Sequence, residues 1–155
     1  MKILKTLIVL LLLASSTVYA DTAKVVYDLT TSDVQKIKKH LIHSVTEVSK
    51  YYKSQNKEFK AIVVISGQAY QFFVEDLKNS PYADDSELKA LQSELKPLFE
   101  KLQKEHNVTF DMCETGMDAR NIHKESLYKF VNAEMMKSIY LINAQNDGYA
   151  YLPIH

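Results

Sequence analysis

The sequence has few of the residues that characterise disulfide-rich, fibrous or low-complexity proteins. It contains one cysteine, three glycines, three prolines and no tryptophan among its 155 residues. A single cysteine excludes an internal disulfide, and scarce glycine and proline exclude a flexible linker of ordinary composition. The 19 basic and 19 acidic residues balance, which argues against a nucleic-acid partner, because such partners need clustered positive charge. We therefore expect one domain with its own apolar core.

The first 20 residues have the pattern of a cleavable secretory signal. Lys2 and Lys5 precede an uncharged run (LIVLLLLA) that is shorter than the roughly 20 residues needed to span a bilayer. We predict a signal peptide at residues 1–20, a mature domain at residues 21–155 and a periplasmic or secreted location. Loss of the two lysines leaves 17 basic against 19 acidic residues. The residue directly after the predicted cleavage position is Asp21 and not a cysteine, so we expect no lipid or membrane anchor.

Apolar runs alternate with amphipathic stretches along the predicted mature domain. The runs predict strands, and apolar residues at every third or fourth position predict helices. The predicted strands are residues 23–29, 59–66, 108–112, 138–144 and 149–154. The predicted helices are residues 32–52, 68–77, a long helix from Ser86, and residues 125–135. This alternation predicts an α/β fold, a three-layer α/β/α sandwich with a mostly parallel sheet of about five strands.

The two long predicted helices carry local signals in the sequence. Ser32 and Gln35 have the spacing of a capping box, so we expect Ser32 to cap the first helix. Pro97 falls inside the second helix, where its missing N–H predicts a kink or the start of a new turn.

The three glycines each follow the end of a predicted strand by a few residues. They are Gly67, Gly116 and Gly148. Ligands of open parallel sheets bind in the crevice beyond the carboxyl ends of the strands, so we predict that these glycines line a ligand-binding crevice. The alternative is that each glycine only allows a tight turn.

Cys113 is the residue with the clearest chemical potential. It lies just past the third predicted strand and precedes a glycine-containing turn. Backbone N–H groups of a following helix, together with the cation of Arg120, would stabilise a thiolate at this position. The alternative is that the lone cysteine packs in the core as a small apolar residue.

Metal binding is a competing hypothesis for two groups of residues. His40 and His43 lie three residues apart, and Met112 and Met117 flank Cys113 as soft ligands that suit copper(I). No C-x-x-C or H-E-x-x-H spacing is present. We therefore interpret the histidines as solvated surface and predict neither a metal site nor a cofactor.

The sequence around the cysteine resembles a known family. The run VTFDMCETGMDARNI, residues 108–122, resembles the strand, cysteine and following arginine of the DsrE/DsrF-like (YchN-like) family, and QNDGYAYLP, residues 145–153, is similar to the last turn and strand of its exported members. The resemblance covers essentially the whole predicted mature domain. It implies an α/β/α sandwich that assembles into oligomers, commonly trimers or hexamers.

The resemblance also implies a chemical role. In sulfur-relay members the cysteine after the third strand carries sulfur as a persulfide, and here that role falls on Cys113, with sulfur donor and acceptor proteins as partners. Those members are cytoplasmic, and they have an Arg-Gly pair where this chain has Arg120-Asn121.

Two hypotheses follow. One is a periplasmic sulfur carrier or sulfurtransferase that acts through Cys113. The other is a non-catalytic homo-oligomer that binds a small ligand or partner at the strand-end crevice. An exposed Cys113 would support the carrier and a packed one the binding protein.

Overall fold

The computed structural model describes residues 22–155. The predicted signal peptide and the predicted mature N-terminus at Asp21 lie outside the described residues. The five strands are β1 Ala23–Leu29, β2 Phe59–Ile65, β3 Val108–Cys113, β4 Val131–Met135 and β5 Ala150–Ile154. The helices are α1, made of Val34–Lys36, a π-helical stretch Ile37–His43 and Ser44–Ser54, then α2 Ser86–His106, α3 Glu114–Asp118 and α4 Lys137–Asn146. Short 3-10 turns occupy Ala69–Phe73, Leu77–Asn79 and Lys124–Ser126.

All five strands pair in parallel, in the order β4-β3-β2-β1-β5. Parallel strands need crossover connections, and here the helices and the 3-10 turns lie in these connections. The predicted α/β class with a parallel five-stranded sheet is confirmed. Because the strands run in one direction, β1, β2 and β3 all end at one edge of the sheet, which we call the carboxyl edge.

The two faces of the sheet are covered unequally. Helices α1 and α2 pack on one face around a large core that includes the stacked rings of Phe73 and Phe99, 4.6 Å apart, with Phe110 beside them. The other face is covered by α4, which contributes Tyr140 and Ala144 to a small cluster with the strands. The fold is therefore a three-layer sandwich with one thin layer.

Two adjacent predictions in the last third of the chain are wrong. Residues 125–135 were expected to be helical, yet Val131–Met135 forms strand β4; residues 138–144 were expected to be a strand, yet they lie in α4. Strand β4 alternates buried and exposed residues, and α4 buries Tyr140 and Ala144, four residues apart. Tertiary packing here overrides the propensities of the β-branched run in α4.

The start of α1 is one residue later than the capping box predicts. The Asp33 carboxylate accepts hydrogen bonds from the backbone N–H groups of Gln35 at 2.9 Å and Lys36 at 3.1 Å. Ser32 instead donates its hydroxyl hydrogen bond to the side-chain oxygen of Gln68, at 2.8 Å. Asp33 therefore caps the helix, and Ser32 links the loops that follow β1 and β2.

Pro97 lies inside α2, which remains one helix from Ser86 to His106. The second helix is thus continuous through the position where a kink or a new turn was expected. Among the helices that residues 22–155 form, none has the length and hydropathy that crossing a membrane requires.

His106, near the C-terminal end of α2, gives the fold a pH dependence. Both of its ring nitrogens are buried without a hydrogen-bond partner among residues 22–155. Burial lowers the pKa of the imidazole below its usual value, while the Glu105 charge opposes this shift. The unfolded chain therefore binds a proton at a higher pH than the folded one. Stability that is present at neutral pH is lost as the pH falls through about 6.5.

The parent protein should lose unfolding free energy between about pH 7.5 and about pH 5.5, and we expect His106→Leu to lose less over the same range. The difference should be below about 1 kcal/mol, because the side chain is only partly buried. Urea unfolding at the two pH values measures this difference. His40→Leu, on the exposed surface of α1, is the matched control. An identical pH dependence in the His106 variant and the parent protein would contradict the prediction.

Candidate functional site

The carboxyl edge of the sheet brings together most of the residues selected from the sequence. Gly67 follows β2, and Cys113 is the last residue of β3. Gly116 and Arg120 follow Cys113 in and just after the short helix α3. The local chain is therefore a strand, a cysteine and one helical turn, followed by a loop that returns Arg120 to the edge.

Cys113 is buried. Its exposed fraction is 8%, and it belongs to the large core cluster. Its carbonyl oxygen accepts a hydrogen bond of 2.9 Å from the Tyr70 hydroxyl. Tyr70 belongs to the 3-10 turn Ala69–Phe73 and is itself 1% exposed, so this hydrogen bond joins two buried residues.

Arg120 lies against Tyr70. The carbon at the centre of its guanidinium group is 4.8 Å from the Tyr70 ring centroid, and its Nη1 donates a 3.0 Å hydrogen bond to the carbonyl of Gly116. Among the described residues, no ion pair or hydrogen bond joins Arg120 to Cys113. The structure thus places Tyr70 between the two residues proposed as thiolate and stabiliser.

The Tyr70 hydroxyl is held in its neutral form. Burial raises its pKa, and the neighbouring Cys113 side chain raises it further, while the charge of Arg120 acts in the opposite direction. A neutral hydroxyl keeps its proton for the hydrogen bond to the Cys113 carbonyl. Tyr70 therefore acts here as a rigid hydrogen-bond donor.

A cavity of about 340 Å³ opens above this arrangement. Its lining comes from the segments that follow the first three strands and from the loop before α2: Ser32, Gly67, Gln68, Gln71, Tyr82 and Arg120. Arg120 is the charged residue of this lining, and no carboxylate of residues 22–155 lines it. Burial raises the pKa of the Tyr82 hydroxyl and the charge of Arg120 opposes that shift, which places the two groups close together. We call this space the Arg120 cavity.

Two of the three glycines lie at this edge, for different reasons. Gly67 has φ +63°, and a Cβ there would lie 2.8 Å from the Thr30 carbonyl oxygen. Gly116 faces Tyr70, whose hydroxyl oxygen would lie 1.9 Å from an added Cβ. Gly148 follows helix α4 and precedes strand β5. It therefore lies at the end of the sheet where the strands begin, opposite the carboxyl edge. The prediction of one crevice that contains all three glycines is therefore wrong for Gly148.

Asn121 ends the loop that carries Arg120. It adopts φ +53°, the left-handed conformation that glycine adopts most readily and that asparagine tolerates. Arg120-Asn121 therefore supports a turn of the kind that an Arg-Gly pair makes.

Sequence reasoning missed Tyr70, Tyr82, Gln68 and Gln71. The signal that marks most of them is position, since Gln68, Tyr70 and Gln71 directly follow the Gly67 turn at the end of β2. His40 and His43 lie exposed on α1. Among residues 22–155, no three His, Cys, Asp or Glu side chains come close enough to hold a metal ion.

A larger cavity, of about 760 Å³, lies away from Cys113, between the start of α2 and the loop before it. Its charged side chains are mixed in sign, and two of them pair with each other, Lys96 with Glu75 at 2.6 Å. A large volume alone does not indicate a ligand-binding site. The Arg120 cavity is the better candidate, because it combines a single charge with several hydrogen-bonding groups.

Comparison with known proteins places the chain in a family. The family model described as "DsrE/DsrF-like family" matches residues 21–154. An uncharacterized protein of Aquifex aeolicus (strain VF5) is 25% identical over 135 residues, which cover 87% of this chain and 57% of that protein. The chain thus spans little more than half the length of this relative.

A solved structure supports the same fold. A protein of unknown function from Methanobacterium thermoautotrophicum has a TM-score of 0.64 to this chain at 17% identity, over 84% of this chain and 98% of that one. Its similarity bears on the fold alone. Since the family model covers nearly all the described residues, the chain belongs to the DsrE/DsrF-like family.

Proposed function

We propose that the protein binds a small anion in the Arg120 cavity, as a non-catalytic member of its family. The observation that carries this proposal is the isolated guanidinium group. Arg120 gives one hydrogen bond to Gly116 and has further donors free among the described residues. The side-chain amides of Gln68 and Gln71 line the same space. An oxyanion would accept charge-assisted hydrogen bonds from this set.

The burial of Cys113 supports binding over sulfur transfer. A thiolate must be accessible to attack a sulfur donor, and at 8% exposure Cys113 lies beneath Tyr70. The family membership supports sulfur chemistry only at the level of the shared fold, since one fold hosts several activities.

Substitution of Arg120 tests the anion proposal. We expect Arg120→Gln to weaken binding of thiosulfate at least tenfold, because a hydrogen bond to a charged group contributes about 1.5–3 kcal/mol. Isothermal titration calorimetry with thiosulfate, and with sulfate as a second oxyanion, measures the affinity. Lys53→Gln removes a cation from a different cavity at the other edge of the sheet and is the control. Equal affinity of the Arg120 variant and the parent protein for both anions would refute the proposal.

Sulfur carriage through Cys113 is the second candidate function. The observation that favours it is proximity, since the Tyr70 ring contacts Arg120 and the Tyr70 hydroxyl donates a hydrogen bond to the Cys113 carbonyl. An anionic donor such as thiosulfate, once bound at Arg120, would be separated from the Cys113 thiol by the Tyr70 side chain. The Cys113 thiolate would attack the sulfane sulfur, the new S–S bond would form the persulfide, and sulfite would leave with the electron pair of the broken bond.

The reactivity of the thiol separates the two functions. For the binding protein we expect native Cys113 to react with iodoacetamide at least about tenfold more slowly than in urea, because burial limits access. Mass spectrometry after incubation with thiosulfate or polysulfide should then show no added sulfur. Addition of one sulfur atom to the parent protein, lost in Cys113→Ser, would establish the carrier instead.

We also propose that the protein forms a homo-oligomer. Among the strands that residues 22–155 form, β5 lies at the end of the strand order and pairs only with β1, and its Tyr151 and Leu152 are exposed. The outer side of α4 adds Ile139 and Ile142, the latter 56% exposed. A second copy of the chain would cover this apolar area and the free strand edge. Light scattering over a range of concentrations tests this, and a persistent monomer would exclude it.

We propose that the chain is exported and processed before Asp21, on the basis of the N-terminal sequence pattern. N-terminal sequencing of the protein from cell fractions measures this. A protein that retains Met1 in the cytoplasm would contradict it.

A further inference from the structure

The face of the sheet beneath α4 carries two buried carboxyl groups. Asp28 lies in β1 and Asp111 in β3, and both pair across the sheet with Val64 of β2. The same row continues to Asn132 in β4. The flanking residues of both aspartates belong to the core on the opposite face, so both carboxyl groups face α4.

The two carboxyl groups differ in their partners. Lys137 lies 2.8 Å from Asp28, and the Tyr151 hydroxyl donates to the same carboxylate at 3.0 Å. Asp111, which is 8% exposed, accepts one hydrogen bond of 2.9 Å, from the side-chain amide of Asn132. Within residues 22–155 no cation pairs with Asp111, and its second oxygen accepts no hydrogen bond. Buried carboxylates are rarely left without a cation.

Asp111 lines a cavity of about 370 Å³ beside α4, a volume within the usual range of small-molecule sites. Ile62 forms part of its floor, and the rings of Tyr140 and Tyr149 form part of its wall. Burial raises the pKa of both tyrosine hydroxyls, and the nearby charge of Asp111 adds to each shift. The carboxyl group therefore lies close to both rings.

The cations at the rim of this cavity are already engaged. Lys124 pairs with Glu134, and Lys24 donates to the carbonyl of Asp147 at 3.0 Å and lies over the Tyr149 ring. No lysine or arginine of the described chain is among the lining residues. The cavity thus combines aromatic walls, an apolar floor and, in Asp111, a buried carboxyl group that lacks a cationic partner among residues 22–155. The carboxyl groups of Glu134 and Asp147 also belong to its lining.

We propose that this cavity binds a small organic cation, a primary amine whose ammonium group pairs with Asp111 and whose apolar part contacts Tyr140, Tyr149 and Ile62. The ammonium group of the ligand would pair with Asp111 as the ammonium group of Lys137 pairs with Asp28. The Tyr140 ring adds cation–π attraction, while Lys24 already lies over the Tyr149 ring. This site is on the other face of the sheet from Tyr70 and has the opposite charge preference to the Arg120 cavity, so it does not depend on the proposed anion binding.

Titration with benzylamine, and with butylamine as a smaller amine, tests the proposal, and the two-dimensional amide NMR spectrum of the purified protein is the readout. We expect saturable shifts confined to residues around Asp111 and α4. Benzyl alcohol, which has the same ring without the charge, should bind at least tenfold more weakly. Asp111→Asn, which keeps an oxygen for Asn132, should weaken amine binding at least tenfold, whereas Glu47→Gln, on the exposed surface of α1 and outside the cavity, should change it less than threefold.

Three results would overturn the proposal. The first is the absence of saturable binding of both amines up to about 10 mM, a limit that corresponds to a binding free energy weaker than about −3 kcal/mol. The second is equal affinity for benzyl alcohol and benzylamine in the parent protein, which would show that Asp111 contributes no charge. The third is unchanged amine affinity in a folded Asp111→Asn variant.

Discussion

Replacement of Gly116 with alanine is expected to lower the free energy of unfolding by about 3 kcal/mol, at the upper end of the usual cost of overpacking. The added Cβ would lie 1.9 Å from the Tyr70 hydroxyl oxygen and 2.7 Å from the ring carbon that bears it. Tyr70 is 1% exposed and is held by its hydrogen bond to Cys113, so the ring has no free space into which it can move. Urea unfolding monitored by circular dichroism measures the change.

Gly148→Ala is the matched control for this substitution. An added Cβ there meets nothing within 4 Å, although φ is +84°, so only the backbone cost of about 1–2 kcal/mol remains. A second control combines Gly116→Ala with Tyr70→Phe, which removes the oxygen involved in the closest clash. We expect the double variant to lose less than the sum of the two single losses. A Gly116 variant as stable as the parent protein would show that Tyr70 can be displaced.

Replacement of Lys137 with methionine is also expected to cost about 3 kcal/mol of unfolding free energy. The Asp28 side chain is 4% exposed, and its Oδ1 is already buried without a hydrogen-bond partner. Removal of the ammonium group leaves a buried carboxylate without its cation, which typically costs about 3–5 kcal/mol. The lower end applies because one third of the Lys137 side chain is exposed. Thermal and urea unfolding at neutral pH measure the loss.

Two controls separate charge from packing at Asp28. Lys50→Met breaks the surface ion pair with Glu47, in which the two side chains are 64% and 52% exposed, and should leave the free energy of unfolding nearly unchanged. Asp28→Asn combined with Lys137→Met removes both charges and should recover most of the stability. A double variant as unstable as Lys137→Met alone would mean that the lysine contributes through its aliphatic chain.

The sequence allows the strands and the two long helices in the first two thirds of the fold to be predicted closely. Residues 68–77, predicted as a short helix, instead form the 3-10 turn Ala69–Phe73 and the start of a second 3-10 turn at Leu77. The predicted first strand, residues 23–29, coincides with β1, and the next two predicted strands differ from β2 and β3 by one residue at one end. Most residues of these strands are buried, and in β2 the five consecutive apolar residues from Ala61 to Ile65 mark the strand in the sequence. The start of α2 at Ser86 was also predicted, since its leucines repeat with helical spacing.

The last third was predicted less well because its signals are weak and local. Strand β4 has five residues, and its NAEM segment lacks the β-branched residues typical of strands. Helix α4 has ten residues and includes two isoleucines, which favour a strand when no tertiary context is known. Only the contact of α4 with the thinly covered face of the sheet decides between the alternatives.

The candidate site was predicted in position but not in its contacts. The order of strand, Cys113 and Arg120 is visible along the chain, because these residues are close in sequence. Tyr70 is 43 residues from Cys113, and no local pattern indicates that its ring lies between the cysteine and the arginine. The unequal pairing of Asp28 and Asp111 likewise depends on neighbours from other strands and from α4.

The place of β5 in the sheet affects how the chain reaches its folded state. The Thr30 backbone N–H donates to the carbonyl of Ile154, 3.0 Å away and 124 residues later in the chain. Until residues 150–154 are synthesised and docked, the apolar strand β1 has one side unpaired, and such an edge is a template for pairing with another chain. A nascent or C-terminally truncated protein is therefore prone to aggregation through β1, and a chaperone that shields this strand would determine its yield.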